Sequence, residues 1–391
     1  MTNDREDARA AVEETRPAGA TTAGIGCSSM MCRRQTASAA AKWCAMVAAA
    51  AMAVVAGACA AAPPAKAAAR DTANAVSLDP EAPNSFRTFA PELDKAVARM
   101  PKLDPQTGLH VAEVKPNLFY VTDGVYQAAF VRTGEGIILF DAPPSFAHKL
   151  PGVIQAHASG EPVKFLLYSH SHTDHIGGSG ALASIQGLKI VAPADVAQAI
   201  ERANRPGILK PNTTFEDKYS LSLGREVVEI KTAHFHSENT DAIIYLPRQK
   251  FIVAVDTITP GEVPYANFGS TVKLDGYFAF FDEILQYDFD TILSGHVSIL
   301  GNREDVMIAR DYVRDVRDTA LKGMASMLPT FEKAFGAIGH KNGNLAYRVA
   351  IETIRRDCAT QIIDRWKDKL SVADVWAHTH CETVIQYAIM H

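Results

Sequence analysis

Short apolar runs of strand length dominate the middle of the chain. From about residue 110, β-branched and aromatic stretches such as VAEV, NLFYVT, VYQAAFVRT, GIILFD and VKFLLYS alternate with Pro, Asp-Gly and Gly-Glu-Gly turn signals. The same reasoning predicts strands at 188–192, 227–233, 242–246, 251–255 and 291–293, and helices at 177–185 and 193–203. Strands in succession, followed by strands that alternate with helices, predict a layered α+β core rather than a helical bundle.

After residue 300 the pattern becomes helical. Residues 303–324 are amphipathic, and from Ile354 to Trp366 every fourth residue is apolar, so these side chains share one stripe of a helix. Such stripes need an apolar surface to cover them. We therefore expect the C-terminal region to pack behind the strand-rich core rather than to cover a site as a lid.

The N-terminal segment has the features of a leader. Residues 1–36 are polar and show no apolar periodicity. Arg33 and Arg34 then precede an uncharged, alanine-rich run at 43–62. Basic residues, an apolar run and small residues at its end are typical of a secretory signal, so we expect a periplasmic or secreted protein. Two alternatives stay open: lipid attachment at Cys59, and a membrane anchor that is not cleaved, because about 20 apolar residues can span a bilayer.

These patterns divide the chain into four segments. A disordered leader with the signal at 1–60 is followed at 61–107 by an Ala/Pro-rich linker and a short helix near 91–100. The strand-rich domain occupies 108–300, and the helical region occupies 301–391.

The composition narrows the class of partner. Hydrophobic residues make up 47% and charged residues 21% of the 391 positions, a balance typical of soluble globular proteins. The formal net charge is −5, whereas a nucleic-acid-binding surface favours an excess of positive charge. We therefore expect a small-molecule substrate and no nucleic acid, with membrane contact only through an N-terminal anchor or lipid.

Two of the six cysteines, Cys358 and Cys381, lie beyond the leader region. Export would bring them into an oxidising compartment, where two remaining thiols tend to form a disulfide. The alternative is a reduced Cys358 that packs in a helix core, and the sequence leaves both open.

The segment LLYS leads directly into HSHTDH, which contains four potential metal ligands. His170 and His172 alternate at the end of an extended strand, so both imidazoles point to one side and can share a cation. Asp174 and His175 follow where the chain turns, so we expect them to face a second cation. Two cations about 3.5–4 Å apart can hold a hydroxide between them.

Three later segments also end at candidate ligands. The strand VVEIKTAHFH ends with His234 and His236 on the same face, and we favour His236 as the third histidine because a polar turn begins there. His234 would then be a supporting or core residue. Asp256 closes the strand FIVAV and is suited to bridge two cations, and His296 follows TILSG and would complete the second set.

HSHTDH at 170–175, a histidine at 236, Asp256 and SGH ending at 296 resemble the metallo-β-lactamase superfamily over about residues 108–300. The resemblance implies an αββα sandwich with a dinuclear centre at one edge of the two sheets, here with a C-terminal helical extension. By position it implies one metal bound by His170, His172 and His236, a second bound by Asp174, His175 and His296, and Asp256 bridging both. Asp141, which ends GIILFD, matches the acidic strand end that orients such a cluster.

Departures from the family pattern bear on the chemistry. The segment HSENTD lacks the Gly that usually follows the third histidine, and Asp256 stands where some β-lactamases carry Cys. His172 occupies the position at which diiron oxidoreductases of the superfamily carry Glu. A first site made of nitrogen ligands favours two zinc ions and hydrolysis over the alternative of iron and electron transfer.

We expect hydrolysis of a carbonyl compound, a β-lactam, lactone or other ester or amide, with Asp174 as the residue that transfers protons. The alternatives are a thioester hydrolase similar to glyoxalase II and a non-catalytic exported metal-binding protein. Tyr265, Asn267 and Phe268, in the loop after Asp256, could line the substrate site or could be ordinary loop packing.

Overall fold

Side chains on alternate sides of each strand give the central sheets two apolar faces. In the segment IILF, Ile137 and Leu139 point to one side, and Ile138 and Phe140 point to the other, and all four are fully buried. The computed structural model describes residues 89–158, 160–237 and 240–391, which belong to one compact unit. The predicted leader, and the predicted linker up to residue 88, lie outside the described residues.

The described strands form two sheets. The first has seven strands, paired in chain order: β1 (His110–Lys115), β2 (Leu118–Thr122), β3 (Gln127–Arg132), β4 (Ile137–Phe140), β5 (Val163–Leu167), β6 (Lys189–Pro193) and β7 (Thr213–Phe215). The second has five strands in the order β12-β11-β10-β9-β8: β8 (Lys218–Leu223), β9 (Glu226–Ala233), β10 (Asp241–Leu246), β11 (Phe251–Val253) and β12 (Thr291–Leu293). Pairs from β4 to β7 and the pair β11–β12 are parallel, and the others are antiparallel.

The helices precede the first strand, connect strands or follow the last strand. They are α1 (Asp94–Val97), α2 (Leu150–His157), α3 (Thr173–Ile176), α4 (Ala194–Ala203), α5 (Ala266–Ser270), α6 (Leu274–Ile284), α7 (Arg303–Met324), α8 (Met327–Ala337), α9 (Gly343–Trp366) and α10 (Ala373–Met390). A capping box begins α7, because Asn302 accepts from the Asp305 N–H and the Asp305 carboxylate accepts from the Asn302 N–H. No helix of the described residues is long and apolar enough to cross a membrane.

Among the described residues, three apolar clusters fill the space between neighbouring layers. The middle cluster joins the facing sides of the two sheets and includes Phe140, Leu167 and Ile244. A second cluster packs α2 and α4 on the outer face of the first sheet, and the third packs α6, α7, α9 and α10 on the outer face of the second. The order of layers is therefore αββα, with the C-terminal helices in one outer layer, as the sequence predicts.

The helix predicted at 177–185 is wrong. The chain has instead a single helical turn, α3, and a 3-10 turn at Ser179–Leu182. The N–H groups of Gly178 and Gly180 donate to Ala142 O and Gly207 O, at 2.9 and 2.8 Å. Tertiary hydrogen bonds thus take backbone donors that a continuous helix would use, and the sequence pattern contains no sign of them.

A disulfide joins Cys358 of α9 to Cys381 of α10, and both residues are buried in the outer helical layer. The stripe from Ile354 to Trp366 faces that same apolar cluster. Of the two alternatives that the sequence left open, the structure therefore has the cross-link, which lies inside the helical layer and ties α10 to α9.

Candidate metal centre

Four of the predicted ligands stand at corresponding places after four strands. The strands β5, β9, β11 and β12 end at Leu167, Ala233, Val253 and Leu293, and three residues beyond these ends lie His170, His236, Asp256 and His296. Isolated bridges between His170 and Asp241, and between Tyr126 and His296, tie the two sheets together at this edge. The same edge of both sheets therefore presents all four side chains.

The structure brings the predicted ligands into two groups. One ligand atom from each of His170, His172, His236 and Asp256 lies within 4.8 Å of the others, and so do ligand atoms of Asp174, His175 and His296. His172 ends the strand-like segment, and Asp174 and His175 lie in the single turn of α3, so the change of backbone direction sends them to the second group. The predicted division of the ligands into two sets matches this arrangement.

Asp256 stands between the two groups and presents a different oxygen to each. Its Oδ2 lies 3.2 Å from His170 Nε2 and 3.6 Å from both His172 Nδ1 and His236 Nε2. Its Oδ1 lies 3.1 Å from His175 Nε2 and 3.0 Å from His296 Nε2. A left-handed backbone, with φ of 63°, turns this carboxylate out of the strand direction and toward both groups.

Several buried polar atoms fit metal ligands better than a self-contained hydrogen-bond network. His170 Nε2 and Asp256 Oδ1 are buried, and although Asp256 Oδ2 lies 3.2 Å from the first atom and two imidazole nitrogens lie 3.0–3.1 Å from the second, neither atom makes a hydrogen bond of acceptable geometry with the described protein groups. His175 Nε2 and His296 Nε2 approach each other to 3.1 Å, a distance at which a shared cation can accept both lone pairs. Buried polar atoms are otherwise almost always paired, so the donor set fits divalent cations.

Burial and neighbouring charges shift the pKa values of the candidate ligands in different directions. Burial lowers the pKa of His170 well below its usual value, so this imidazole is neutral, the form that binds a metal. Burial also opposes a charge on His175, but the carboxylates of Asp256, Asp174 and Asp141 together outweigh it and raise the pKa of His175 to about 9, so a bound cation would have to displace this proton. Burial disfavours the charged form of Asp256, and the imidazoles of His175 and His170 nevertheless hold its pKa well below the usual value. The carboxylate is therefore poised to balance a positive charge at this place.

Asp241, which the sequence analysis did not single out, fixes the third histidine. Its Oδ1 lies 2.6 Å from His236 Nδ1, and its Oδ2 accepts from the N–H groups of Phe235 and His236. Although burial disfavours a charged ring, this hydrogen bond raises the pKa of His236. Asp241 holds Nδ1 and leaves Nε2 directed at Asp256. The only sequence signal was an acidic residue at the start of β10.

Asp141 supports the first group through the backbone. Its Oδ1 accepts from the Ser169 N–H at 2.8 Å, and Ser169 Oγ in turn is hydrogen-bonded to His170 Nδ1 at 2.9 Å. Burial raises the pKa of Asp141 to about 6. A chain of hydrogen bonds thus connects Asp141 through Ser169 to His170, which is the contact that the predicted orienting role requires.

Gln127 and Gly295 shape the turn that carries His296. The Gln127 amide donates to His296 O and Val297 O, and its carbonyl accepts from the Ser294 and Gly295 N–H groups. At Gly295, φ is +87°, and an added Cβ would lie 2.4 Å from Val255 Cγ1 and 2.9 Å from His175 Cε1. Only glycine fits this approach of the backbone to a candidate ligand.

The remaining predicted residues are distributed differently. His234 is exposed, and the structure directs His236 rather than His234 into the first group. Of the three loop residues, Tyr265 lines the cleft, whereas Asn267 and Phe268 do not. Residues 267–270 all have positive φ, and this backbone turns Phe268 into the core, where its ring stacks on the ring of His380 in α10 with centroids 4.4 Å apart.

An open cleft of about 470 Å³ gives access to both groups. Its lining includes Tyr126, His172, Asp174, Asp256, Tyr265 and His296. A neighbouring cavity of about 220 Å³ shares Tyr265 and His296 with the cleft and reaches Trp376 of α10. The C-terminal region therefore packs behind the second sheet, as expected, and also contributes a side chain beside the site.

A family model described as the metallo-beta-lactamase superfamily matches residues 121–296, which include every candidate ligand. This part of the chain, residues 121–296, belongs to the metallo-β-lactamase superfamily. A solved structure of a double mutant of a sec-alkyl sulfatase is similar in fold, with a TM-score of 0.53 at 16% identity, over 72% of this chain and 50% of that one. A metallo-beta-lactamase from Pontibacter korlensis aligns with a TM-score of 0.45 at 19% identity, over 52% of this chain and 97% of that one.

Two curated proteins are similar in sequence to this superfamily member. The 2,4-dinitroanisole O-demethylase subunit alpha of a Nocardioides species is 25% identical over 209 residues, which are 52% of this chain and 62% of the relative. A UPF0173 metal-dependent hydrolase from Pyrococcus abyssi is 38% identical over 73 residues, which are 19% of this chain and 31% of the relative. The chain thus spans less than two thirds of either relative's length.

Proposed function

We propose that this protein is a dinuclear zinc-dependent hydrolase that cleaves a carbonyl compound. The observation that carries the proposal is the position of Asp256, whose two oxygens lie 3.2 Å or less from histidine nitrogens of different ligand groups. A carboxylate in this position serves two cations, whereas a structural zinc needs only one closed set of four ligands. This argument favours a catalytic pair over a non-catalytic metal-binding protein.

The proposal gives each candidate ligand a separate role. His170, His172 and His236 would hold one zinc ion, and Asp174, His175 and His296 would hold the other, with Asp256 between them. Such a pair of cations lowers the pKa of water to about 7 and polarises the substrate carbonyl. Asp174, which lines the cleft, would orient the attacking water, accept its proton and pass a proton to the leaving group.

Substrate and compartment belong to the same proposal. A lactone, β-lactam or other ester or amide suits an exported enzyme, and export to the periplasm or beyond is supported by the disulfide between Cys358 and Cys381. Thioester hydrolysis is the alternative reaction. Because the Nocardioides relative is named as a 2,4-dinitroanisole O-demethylase subunit, we include that activated aryl methyl ether among the compounds to be tested.

The test combines metal content with turnover in the full chain. We expect about two zinc equivalents per chain, and hydrolysis of at least one carbonyl compound from a panel of lactones, a chromogenic cephalosporin and a thioester. Turnover of 2,4-dinitroanisole alone, an aryl ether without a carbonyl group, would contradict cleavage of a carbonyl compound. Asp256→Asn should reduce the zinc content and lower turnover by at least a hundredfold, because one bridging oxygen becomes an amide nitrogen. Asp318→Asn, on the exposed face of α7, is the matched control and should retain both.

Two other results would contradict the proposal. Purification with iron and a visible absorption band would favour electron transfer instead. One tightly bound zinc ion with no turnover of any panel member would favour a metal-binding protein without catalysis.

A further inference from the structure

The small cavity beside the metal centre differs from the open cleft in what lines it. Its walls include Val125, Glu262, Tyr265, His296, Val297 and Trp376, and its volume is about 220 Å³. This is room for one substituent rather than a whole substrate. Because His296 and Tyr265 line both the cavity and the cleft, the cavity lies directly beside the cleft at the candidate metal centre.

Glu262 is the carboxylate in this cavity, and the described residues offer it no cation. Among those residues it takes part in no ion pair or side-chain hydrogen bond, and no Lys or Arg lines the cavity or the cleft. Its backbone is held on both sides, by Thr259 O and by the bridge to Ser371. Burial and the neighbouring Glu92 raise the pKa of Glu262 to about 7. A partly buried carboxylate without a counterion is costly unless a ligand supplies the charge.

Two aromatic rings stand beside this carboxylate. Tyr265 and Trp376 meet edge to face, with ring centroids 4.9 Å apart. Electron-rich aromatic faces attract cations, and their attraction adds to that of a carboxylate. Side chains of α10 hydrogen-bond to the 265–270 loop: His380 Nε2 lies 3.0 Å from Tyr265 O, and the Asn267 N–H donates to Thr379 Oγ1 at 3.1 Å. The two elements that carry Tyr265 and Trp376 are therefore joined beside the cavity.

We propose that this cavity is a subsite for a cationic group, a protonated amine or quaternary ammonium, carried by the substrate at the end away from the scissile bond. The inference rests on the proposed function for the reaction, and it adds the class of substrate: an ester, lactone or amide with a cationic substituent. Asp174 and Asp256 offset part of the positive charge of the metal centre. An anionic substituent in the same place would meet Glu262 and no cation.

The test is a binding titration by calorimetry on the full, zinc-loaded chain, and it does not depend on turnover. Choline and 3,3-dimethylbutanol have nearly the same shape and the same hydroxyl group, but only choline carries a positive charge. We expect choline to bind at least tenfold more tightly than the neutral alcohol. Glu262→Gln should weaken choline binding at least tenfold and change binding of the neutral alcohol less than twofold, and Trp376→Leu should weaken choline binding about two- to fivefold.

Glu135→Gln is the matched control, because it removes one negative charge at an exposed turn distant in sequence from the cavity. It should bind choline as the unchanged protein does, and circular dichroism and zinc content should verify each variant. Equal affinity for the two probes, no binding of choline, or unchanged choline binding in Glu262→Gln would overturn the inference.

The outcomes also separate the subsite from the reaction. If choline binds in a Glu262-dependent manner but no panel member is hydrolysed, the reaction is refuted and the subsite stands. If neutral esters are hydrolysed but choline binds no more tightly than 3,3-dimethylbutanol, the subsite is refuted and the reaction stands.

Discussion

The unpaired carboxylate of Glu262 should make the folded protein less stable at neutral and higher pH. The perturbation is Glu262→Gln, which keeps the shape of the side chain and removes its charge. Burial is the main cause that raises the pKa of Glu262 from an ordinary 4.5 to about 7. Below both values the carboxyl is protonated whether the chain is folded or unfolded. As pH rises, the unfolded chain releases this proton first, so stability is lost through the interval up to about 7.

The magnitude follows from the two pKa values. A change from 4.5 to about 7 corresponds to about 3 kcal/mol above pH 7. The side chain is partly exposed, and solvent screening reduces this to about 2 kcal/mol. The comparison is between the free energies of unfolding of Glu262→Gln and the unchanged protein. We expect the variant's advantage in this free energy to be about 2 kcal/mol larger at pH 8 than at pH 4.5.

The assay is urea unfolding of the metal-free protein at pH 4.5 and pH 8, followed by circular dichroism. Metal-free protein is used at both values because acid would release zinc from the histidines. Glu135→Gln is the control and should show the same small difference at both pH values. An equal difference between Glu262→Gln and the unchanged protein at the two pH values would refute the reasoning, and so would a loss of stability at pH 8.

Three further predictions concern the rest of the molecule. Replacing both Cys358 and Cys381 with Ser should lower the free energy of unfolding by about 3 kcal/mol, because the cross-link closes a segment of 23 residues. Denaturant unfolding measures this change. A reductant should destabilise the unchanged protein by the same amount and leave the variant unaffected. Gly295→Ala should reduce zinc content measured by mass spectrometry, because its Cβ would displace His175, and full retention of two zinc ions would contradict this. Removal of metal by a chelator should lower the melting temperature, and added zinc should restore it, since an ion that binds only the folded state stabilises it; an unchanged melting temperature would count against a metal centre.

The outer helical layer links the cleft to the disulfide. In α10, Trp376 lines the small cavity, His380 contacts the 265–270 loop, and Cys381 is joined to α9. Burial lowers the pKa of His380 to about 4, so its ring is neutral between Tyr312 and the loop. The C-terminal region is therefore both a packing layer and a wall of the cavity beside the candidate metal centre.

The local pattern of residues determined much of this protein. The alternation in segments such as IILF and FIVAV predicts the strands, and HSHTDH, Asp256 and His296 predict the ligand groups, because ligands placed just after apolar strands project from one edge of a sheet. The four-residue stripe of α9 predicts a buried helix, whereas the sequence left open whether Cys358 pairs with Cys381 or packs as a thiol, and the structure has the disulfide.

Tertiary contacts decided the rest. The choice of His236 over His234 depends on the carboxylate of Asp241, and the loss of the helix at 177–185 depends on hydrogen bonds to Ala142 and Gly207. Glu262 and Trp376 line the same cavity although they lie 114 positions apart in the chain, and no local sequence pattern predicts this. Alternation and ligand spacing are local properties that neighbouring residues encode, whereas hydrogen bonds and cavity walls between distant segments exist only after the layers pack against each other.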